Sequence, residues 1–320
     1  MIARLLFVIL FVTACGSDAD RSSPLRLTVM TFNAWGAGSN AGTSASETIA
    51  VILAANPDII GLQEMRGEST PCTAVDCPPA GPSAAAEIAA ALGYYWYEQQ
   101  QQNDALWANA ILSKYPVVRS TSNDLGVVVD AAGRRVALFN VHLTDYPYQP
   151  YQLLGIPYDD APFLTSESEA IAAAEAARGS ALDLLMSDLA ETSDVDTVFI
   201  TGDFNEPSHR DWTARAAQAG RHPIALRFPT VKRIEEAGFR DLYRTAFPDE
   251  VAYPGFTWAA TVSPEDKHDH ADRIDYILMR AGNATLEAAV VAGEYSNAKG
   301  SAVSGWPSDH LAVVATVLIP

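Results

Sequence analysis

Val198-Phe199-Ile200-Thr201-Gly202-Asp203-Phe204-Asn205 reads as a short apolar strand that stops on a carboxylate and an amide two residues apart. On extended backbone, residues i and i+2 point to the same face. Asp203 and Asn205 are therefore expected to meet one ligand, with Phe204 packed behind them. The same event recurs along the chain. Thr28-Val29-Met30-Thr31-Phe32-Asn33 ends in an amide, and Asp58-Ile59-Ile60-Gly61-Leu62-Gln63-Glu64 ends in a carboxylate. Arg135-Val136-Ala137-Leu138-Phe139-Asn140-Val141-His142 ends with Asn140 and His142 in the same relation, and Ser308-Asp309-His310 precedes a last apolar strand.

Each strand end alone has a plainer reading. Glu64 could be a solvated strand end, Asp203 and Asn205 turn formers before Pro207, His142 a hydrogen-bonded histidine, and Ser308-Asp309-His310 a capped turn. Taken together, such ends carrying hard oxygen ligands or histidine point to one site. Oxygen donors suit Mg²⁺, Mn²⁺ or Ca²⁺ rather than zinc.

Between these ends, strands and helices alternate. Strands are expected over 25–32, 58–63, 105–113, 134–143, 197–201, 274–279, 288–292 and 311–318. Helices are expected over 46–55, 83–92 and 166–189; in the last, Ile171, Leu182, Leu185, Met186 and Leu189 fall at helical spacing. Residues 144–165 and 259–271 read as long surface loops, a length that is uncommon unless the loop has a task. No internal repeat and no second core is visible. The expectation is one α/β domain of mixed sheets covered by helices.

Composition is globular, with 48% hydrophobic and 19% charged residues, but the balance is strongly acidic: 39 Asp and Glu against 21 Lys and Arg, a net charge of −18. Such a surface repels polyanions. Duplex DNA, which is bound largely by Lys and Arg neutralising phosphates, is therefore not expected as the main partner. A small anion held by a metal remains compatible.

The first residues read as a targeting segment. Met1-Ile2-Ala3-Arg4 carries one positive charge, and the apolar run Leu5 to Val12 is too short to span a bilayer. Val12-Thr13-Ala14-Cys15 resembles a bacterial lipobox, which implies cleavage before Cys15 and acylation of its thiol. An ordinary secretory signal with an incidental cysteine is the other reading. Cleavage would remove Arg4 and take the net charge from −18 to −19. The expected organisation is a signal peptide at 1–14, a lipid-anchored tether at 15–24 and a catalytic domain at 25–320, located outside the cytoplasm. Cys72 and Cys77 lie close together in a loop-like stretch without other soft ligands. In an oxidising compartment they are expected to form a disulfide.

Seven stretches resemble the endonuclease/exonuclease/phosphatase (DNase I-like) superfamily. They are Thr31-Phe32-Asn33-Ala34-Trp35, Gly61-Leu62-Gln63-Glu64-Met65, Asn109-Ala110-Ile111-Leu112-Ser113-Lys114-Tyr115-Pro116, Asn140-Val141-His142-Leu143, Thr201-Gly202-Asp203-Phe204-Asn205, Asp272-Arg273-Ile274-Asp275-Tyr276-Ile277 and Ser308-Asp309-His310. They stand in the family's order. The resemblance implies a four-layer α/β sandwich of two packed mixed β-sheets flanked by helices.

It also implies roles. Glu64 would be the main Mg²⁺ ligand, with Asn33 and Asp309 completing the shell. Asp203 would position or deprotonate the attacking water, and Asn205 would hold a phosphate oxygen. His310 would contact the phosphate as a cation, oriented by Asp275. His142 would sit near the leaving oxygen, and Asn109 would line the phosphate site.

Other residues are read from position alone. Arg66 stands on Glu64's face and could reach a phosphate, or be a surface arginine. Arg134, Arg135 and Arg273 could serve locally. Tyr146, Tyr148 and Tyr151, just after His142, could stack on a sugar or base or cover an edge. Trp258 is expected in the core. His268 is expected to be exposed, and His270 could join the site or be exposed.

The resulting expectation is a monomeric, extracytoplasmic Mg²⁺-dependent hydrolase acting on a small or lipid-linked phosphate ester. The alternatives are a secreted non-specific nuclease and a catalytically inactive binding lipoprotein.

Overall fold

Strand β1 (Leu25–Asn33) buries Leu27 and Val29 on one side and Met30 and Phe32 on the other, so its sheet is covered on both faces. The computed structural model describes residues 23–73, 76–100, 103–258, 268–292 and 306–320. Cys15, the signal segment and most of the tether lie outside them. After β1 the strands are β2 (Ile59–Gln63), β3 (Gly67–Glu68), β4 (Pro79–Ala80), β5 (Tyr95–Glu98), β6 (Ala110–Ser113), β7 (Val117–Ser120), β8 (Gly126–Ala131), β9 (Arg134–His142), β10 (Thr197–Asp203), β11 (Arg240–Asp241), β12 (Asp275–Ala281), β13 (Thr285–Ala292) and β14 (Ala312–Ile319). The helices are α1 (Ala45–Ala55), α2 (Ala85–Leu92), α3 (Gln149–Leu154), α4 (Glu167–Ala190), α5 (Ala214–Gln218), α6 (Pro229–Glu236) and α7 (Leu242–Ala246). Ser44 and Glu47 close a reciprocal cap on α1, and Ser166 caps α4. Both caps satisfy amides that a helix start leaves unpaired.

Twelve strands form two six-stranded sheets, ordered β13-β14-β1-β2-β6-β5 and β11-β12-β10-β9-β8-β7, and β3 pairs with β4 apart from them. Each is antiparallel except for a single central parallel pair, β1 with β2 and β9 with β10. Leu27, Val29, Ile59 and Ile111 of the first sheet meet Val127, Leu138, Phe199 and Ile277 of the second. Outside the first sheet, Met30, Phe32, Ile60 and Leu62 pack under Ile52 of α1 and Ile88 of α2. Outside the second, Val198, Ile200 and Phe139 pack under Leu182 and Leu185 of α4 and Val231 and Ile234 of α6. Burying each such Leu or Phe stabilises the fold by roughly 1.5–3 kcal/mol. The result is the expected four-layer α/β sandwich.

Polar groups lock the two sheets in register. Gln63 donates to Asn140 Oδ1 (2.5 Å), and Asn140 donates to the Leu62 carbonyl (2.9 Å) and to Gln99 (2.9 Å). Thr201 Oγ1 stands 3.3 Å from the same Asn140 Oδ1. At Gly61 the facing sheet leaves no room for a side chain: a Cβ would lie 2.1 Å from Thr201 Oγ1 and 2.4 Å from Asn140 Oδ1. Only a residue without a side chain fits there.

Three expectations change. Residues 105–109 are not strand; β6 begins at Ala110, and Asn103 caps the turn before it by accepting from the Ala105 amide (3.0 Å). The segment 144–165 is not all loop, because α3 starts at Gln149 with Pro150 in its first turn, where a missing N–H costs nothing. Gln149 and Gln152 are buried beneath it. Trp258 is not a core residue: it is half-buried and bridges backbone-to-backbone with both Asp272 and His310. Of the second expected loop, residues 259–267 lie outside the described part.

Candidate active site

Both central parallel pairs end on one edge of the sandwich. Asn33 is in register with Gln63, and Asp203 with His142. The carboxyl ends of parallel strands leave room for a ligand where the chain turns away. Glu64 follows β2 in a left-handed conformation (φ 53°), which turns its side chain from the sheet toward that edge. Asp275 opens β12, antiparallel to β10 and paired with Asp203. Asp309 and His310 lead into β14, and Ser308 Oγ ties this turn to the Asn33 carbonyl (2.7 Å).

Asp203 Oδ2 is the hub. Asn33 Nδ2 donates to it (3.0 Å) and also to Glu64 Oε1 (2.8 Å). His310 Nε2 lies 3.4 Å from the same oxygen, and His142 Nε2 lies 3.6 Å from it and 3.8 Å from Glu64 Oε1. The other Asp203 oxygen accepts from the Asn205 backbone N–H (2.9 Å). His310 Nδ1 pairs with Asp275 Oδ2 at 2.9 Å. Burial pulls the His310 imidazole down, but the Asp275 and Asp203 carboxylates outweigh it and hold its pKa well above the ordinary histidine value. The two carboxylates thus favour the charged form of the His310 imidazole. Burial pushes the Glu64 carboxyl up, and the Asp309 charge adds to the shift; burial likewise raises Asp309 and Asp275. Glu64 Oε2, Asp309 Oδ1 and His142 Nδ1 are buried without hydrogen-bond partners.

These groups open into a cleft of about 550 Å³. Its wall is aromatic, with Trp35, Trp107, Tyr151, Tyr158 and Trp258, and its charged rim consists of Glu68, Asp104 and Asp145. Among the described residues no Lys or Arg lines it. The Cys72–Cys77 disulfide forms part of the rim.

The structure therefore brings Asn33, Glu64, His142, Asp203, Asn205, Asp275, Asp309 and His310 together. Asn205 arrives by an unexpected route: it has left extended backbone (φ 47°), and its amide donates to the Leu143 carbonyl (2.9 Å). Others are not brought there. Asn109 is fully buried, with its side-chain amide beside Trp107 and the His142 backbone, and it does not line the cleft. Arg66 turns to Glu98 (3.2 Å). Arg273 is buried between Asp211 and Asp241, at 2.7 Å from each. Arg134 holds the Ser23 and Pro320 carbonyls. Asn140, despite sharing a face with His142, serves the sheet clamp. Tyr148 reaches the cleft wall, but it is nearly fully buried and gives its hydroxyl to Asp272 (2.7 Å). His268 is exposed. Sequence reasoning missed Trp107, Asp145 and Tyr158. Asp145 stands only three residues past His142, a proximity that could have flagged it; Trp107 and Tyr158 carry no local signal.

A family model described as the Endonuclease/Exonuclease/phosphatase family matches residues 30–310. An uncharacterized protein of Caenorhabditis elegans is 26% identical over 333 residues, 98% of this chain and 98% of its own. Among solved structures, an endonuclease/exonuclease/phosphatase from Beutenbergia cavernae aligns with a TM-score of 0.55 at 19% identity, covering 92% of this chain and 72% of that one. An AP endonuclease from Archaeoglobus fulgidus aligns with a TM-score of 0.52 at 19% identity, covering 90% and 98%. The 3' phosphatase NExo from Neisseria, bound to a product DNA hairpin, aligns at 0.51 and 19%, covering 90% and 98%. These structures share the two-sheet fold, and the family match spans most of the chain. The chain belongs to the Endonuclease/Exonuclease/phosphatase family and is a phosphoric ester hydrolase.

Proposed function

We propose that this chain is a Mg²⁺-dependent hydrolase of a small or lipid-linked phosphate ester, held outside the cytoplasm by an acylated Cys15. The observation that carries the reading is the convergence of Glu64, Asp203 and Asp309 with two histidines at one edge of the sandwich.

The donor set fits a hard divalent cation. Glu64 and Asp309 each aim a buried, unpartnered oxygen, and both carboxyls are raised by burial. A divalent cation relieves such a pair, and all-oxygen donors favour Mg²⁺, with Mn²⁺ or Ca²⁺ as substitutes. Glu64 and Asp309 would hold it; the Asn33 amide, expected as a third ligand, instead orients the acids, its nitrogen donating to Glu64 Oε1 and Asp203 Oδ2 and its oxygen accepting from the Trp35 N–H. A cation held there would supply charge to offset that on the ester's oxygens and on the leaving oxygen.

The remaining work falls to the chain's own residues. Asp203, fixed by the Asn33 amide and the Asn205 backbone, orients a water and accepts its proton. His310, kept charged by Asp275, binds a phosphate oxygen and gains strength as charge grows toward the transition state. His142 Nε2 faces the same space and supplies a proton or hydrogen bond to the leaving oxygen. Asn205 holds the opposite side of the phosphate.

Substrate size is argued from the rim. Glu68, Asp104 and Asp145 repel a polyanion, while the aromatic wall suits a compact organic group. A nuclease reading is favoured by one observation, the product DNA hairpin in the Neisseria structure of similar fold. The net charge of −18 weighs against it for this chain. The Cys72–Cys77 disulfide supports an oxidising compartment, and Val12-Thr13-Ala14-Cys15 supports the lipid anchor.

The test is a panel of a phosphomonoester, a diester, a phospholipid and plasmid DNA, assayed with EDTA and Mg²⁺ add-back. Turnover should vanish with EDTA and return with Mg²⁺. Asp203→Ala and His310→Ala should each abolish it with an unchanged circular dichroism spectrum. Wild-type activity in either variant would sink the assignment, and preference for plasmid DNA at physiological salt would favour the nuclease.

A further inference from the structure

We propose that His222, His270 and Asp272 form a second metal site that takes Zn²⁺ and braces the wall of the active-site cleft. His222 Nδ1 and His270 Nε2 face each other at 3.2 Å. Asp272 Oδ2 lies 3.8 Å from His270 Nε2, and the three ligand atoms all lie within 4.8 Å of one another. Zinc bonds to nitrogen or oxygen at about 2.0–2.1 Å in tetrahedral geometry, which puts neighbouring ligands about 3.3 Å apart. The 3.2 and 3.8 Å separations sit close to that spacing, and the third lies within 4.8 Å.

One ring nitrogen can donate to the other, while Asp272 Oδ2, 3.8 Å from His270 Nε2, takes its hydrogen bond from Tyr148 rather than from a ring. A carboxylate oxygen has more than one lone pair, so this one can hold the tyrosine and still face an ion. A single cation at the meeting point serves all three groups. The two imidazoles and one carboxylate also match a different ion from the oxygen set at Glu64 and Asp309: nitrogen-rich sites favour Zn²⁺ over Mg²⁺. Three protein ligands leave a fourth position for water.

The ligands are already oriented, as outer contacts orient those of known metal sites. Asp272 accepts from Tyr148 Oη (2.7 Å) on the facing oxygen and from Trp212 Nε1 (2.9 Å) on the other. The His222 ring stacks on Trp212 with centroids 4.3 Å apart and planes 14° from parallel. His222 is nearly buried, and Asp272 almost completely so.

Position gives the site its role. His222 lies 48 residues from His270 along the chain, so an ion would join two separate segments. Trp258 bridges to Asp272 on one side and His310 on the other, and Tyr148 stands between Asp272 and the cleft. An ion at Asp272 therefore stiffens the aromatic wall without touching the reacting ester.

The test uses the full chain, stripped of metal and then mixed with Zn²⁺ under excess Mg²⁺. The wild type should retain one zinc per chain through dialysis, melt at a higher temperature with zinc than without, and give an X-ray absorption spectrum with two imidazole ligands. His270→Gln should lose both the zinc and the rise in Tm, whereas Glu64→Gln should keep them. Three results would overturn the proposal: no zinc retained by the wild type, zinc lost in Glu64→Gln but kept in His270→Gln, or a wild-type absorption spectrum without paired imidazoles. The last reading needs no variant, so a misfolded substitution does not shelter the idea.

Discussion

Asn140→Ala separates a fold residue from a catalytic one at a position where sequence pattern does not. Asn140 shares a strand face with His142, two residues away, and is fully buried. Its loss strands Gln99 Oε1, which accepts from it at 2.9 Å, and removes the 2.5 Å bond from Gln63. Gln63 keeps Thr31 Oγ1 at 3.2 Å, and Thr201 keeps the Phe139 carbonyl at 2.9 Å. A stranded buried polar group costs about 1–3 kcal/mol, so two weakened partners cost about 2–6 kcal/mol. In a domain of this size each kcal/mol moves Tm by roughly 2–4 °C, for a fall of about 4–24 °C. The assay is a thermal melt paired with kcat measured cold, where the variant is still folded. The melt should shift while kcat stays near wild type. An unchanged Tm with a collapse in kcat would refute the reasoning and place Asn140 in the chemistry.

Gly61→Ala presses a methyl against the same clamp, at 2.1 Å from Thr201 Oγ1 and 2.4 Å from Asn140 Oδ1. It should cost about 1–3 kcal/mol or more, and less in the Asn140→Ala background, because shared contacts make the two non-additive; full additivity in denaturant melts would count against the contact. Asp275→Asn removes a charge that holds the His310 pKa above its ordinary value. The positive charge of His310 persists below that raised pKa and is lost as pH rises through it. The basic limb of the kcat/KM profile should therefore move to lower pH, and an unmoved limb would detach Asp275 from His310. With an acidic rim and no described basic lining residue, hydrolysis of a small ester should change little between low and physiological salt. A protein making many phosphate contacts loses about 10³–10⁵ in affinity over 50–200 mM, and a decline of that steepness would mark a hidden basic track.

What the sequence made legible was local. Apolar runs placed most of the long strands, helical spacing marked α4, and polar residues closing apolar runs marked the site edge, while β5, β7 and β8 went unread. What it hid was tertiary. Arg273 looks like a free cation until Asp211 and Asp241, remote in sequence, enclose it at 2.7 Å each. Trp258 has the composition of a core residue, yet bridging Asp272 and His310 holds it at the cleft. Asn205 reaches the cleft through a left-handed turn, not through the strand alternation its spacing from Asp203 suggests. His222 carries no signal at all, because its partners His270 and Asp272 lie far along the chain.

The clamp and the site are one mechanical unit. Gln63 ends β2 and reaches across to Asn140 of β9, while the next residue is Glu64 and His142 is two residues beyond Asn140. The bond that fixes sheet against sheet therefore sits one residue behind one acid and two behind a histidine. Asn33 completes the span above it by donating to Glu64 from one sheet and Asp203 from the other. Because the acids come from different sheets, neither sheet alone sets their spacing. Interiors close-packed like these resist continuous deformation, so the spacing between Glu64 and Asp203 is inherited from the core. Asn140 is one contact of that core, and the Asn33 bridge from Glu64 to Asp203 remains when it is lost, so the catalytic spacing does not rest on Asn140 alone.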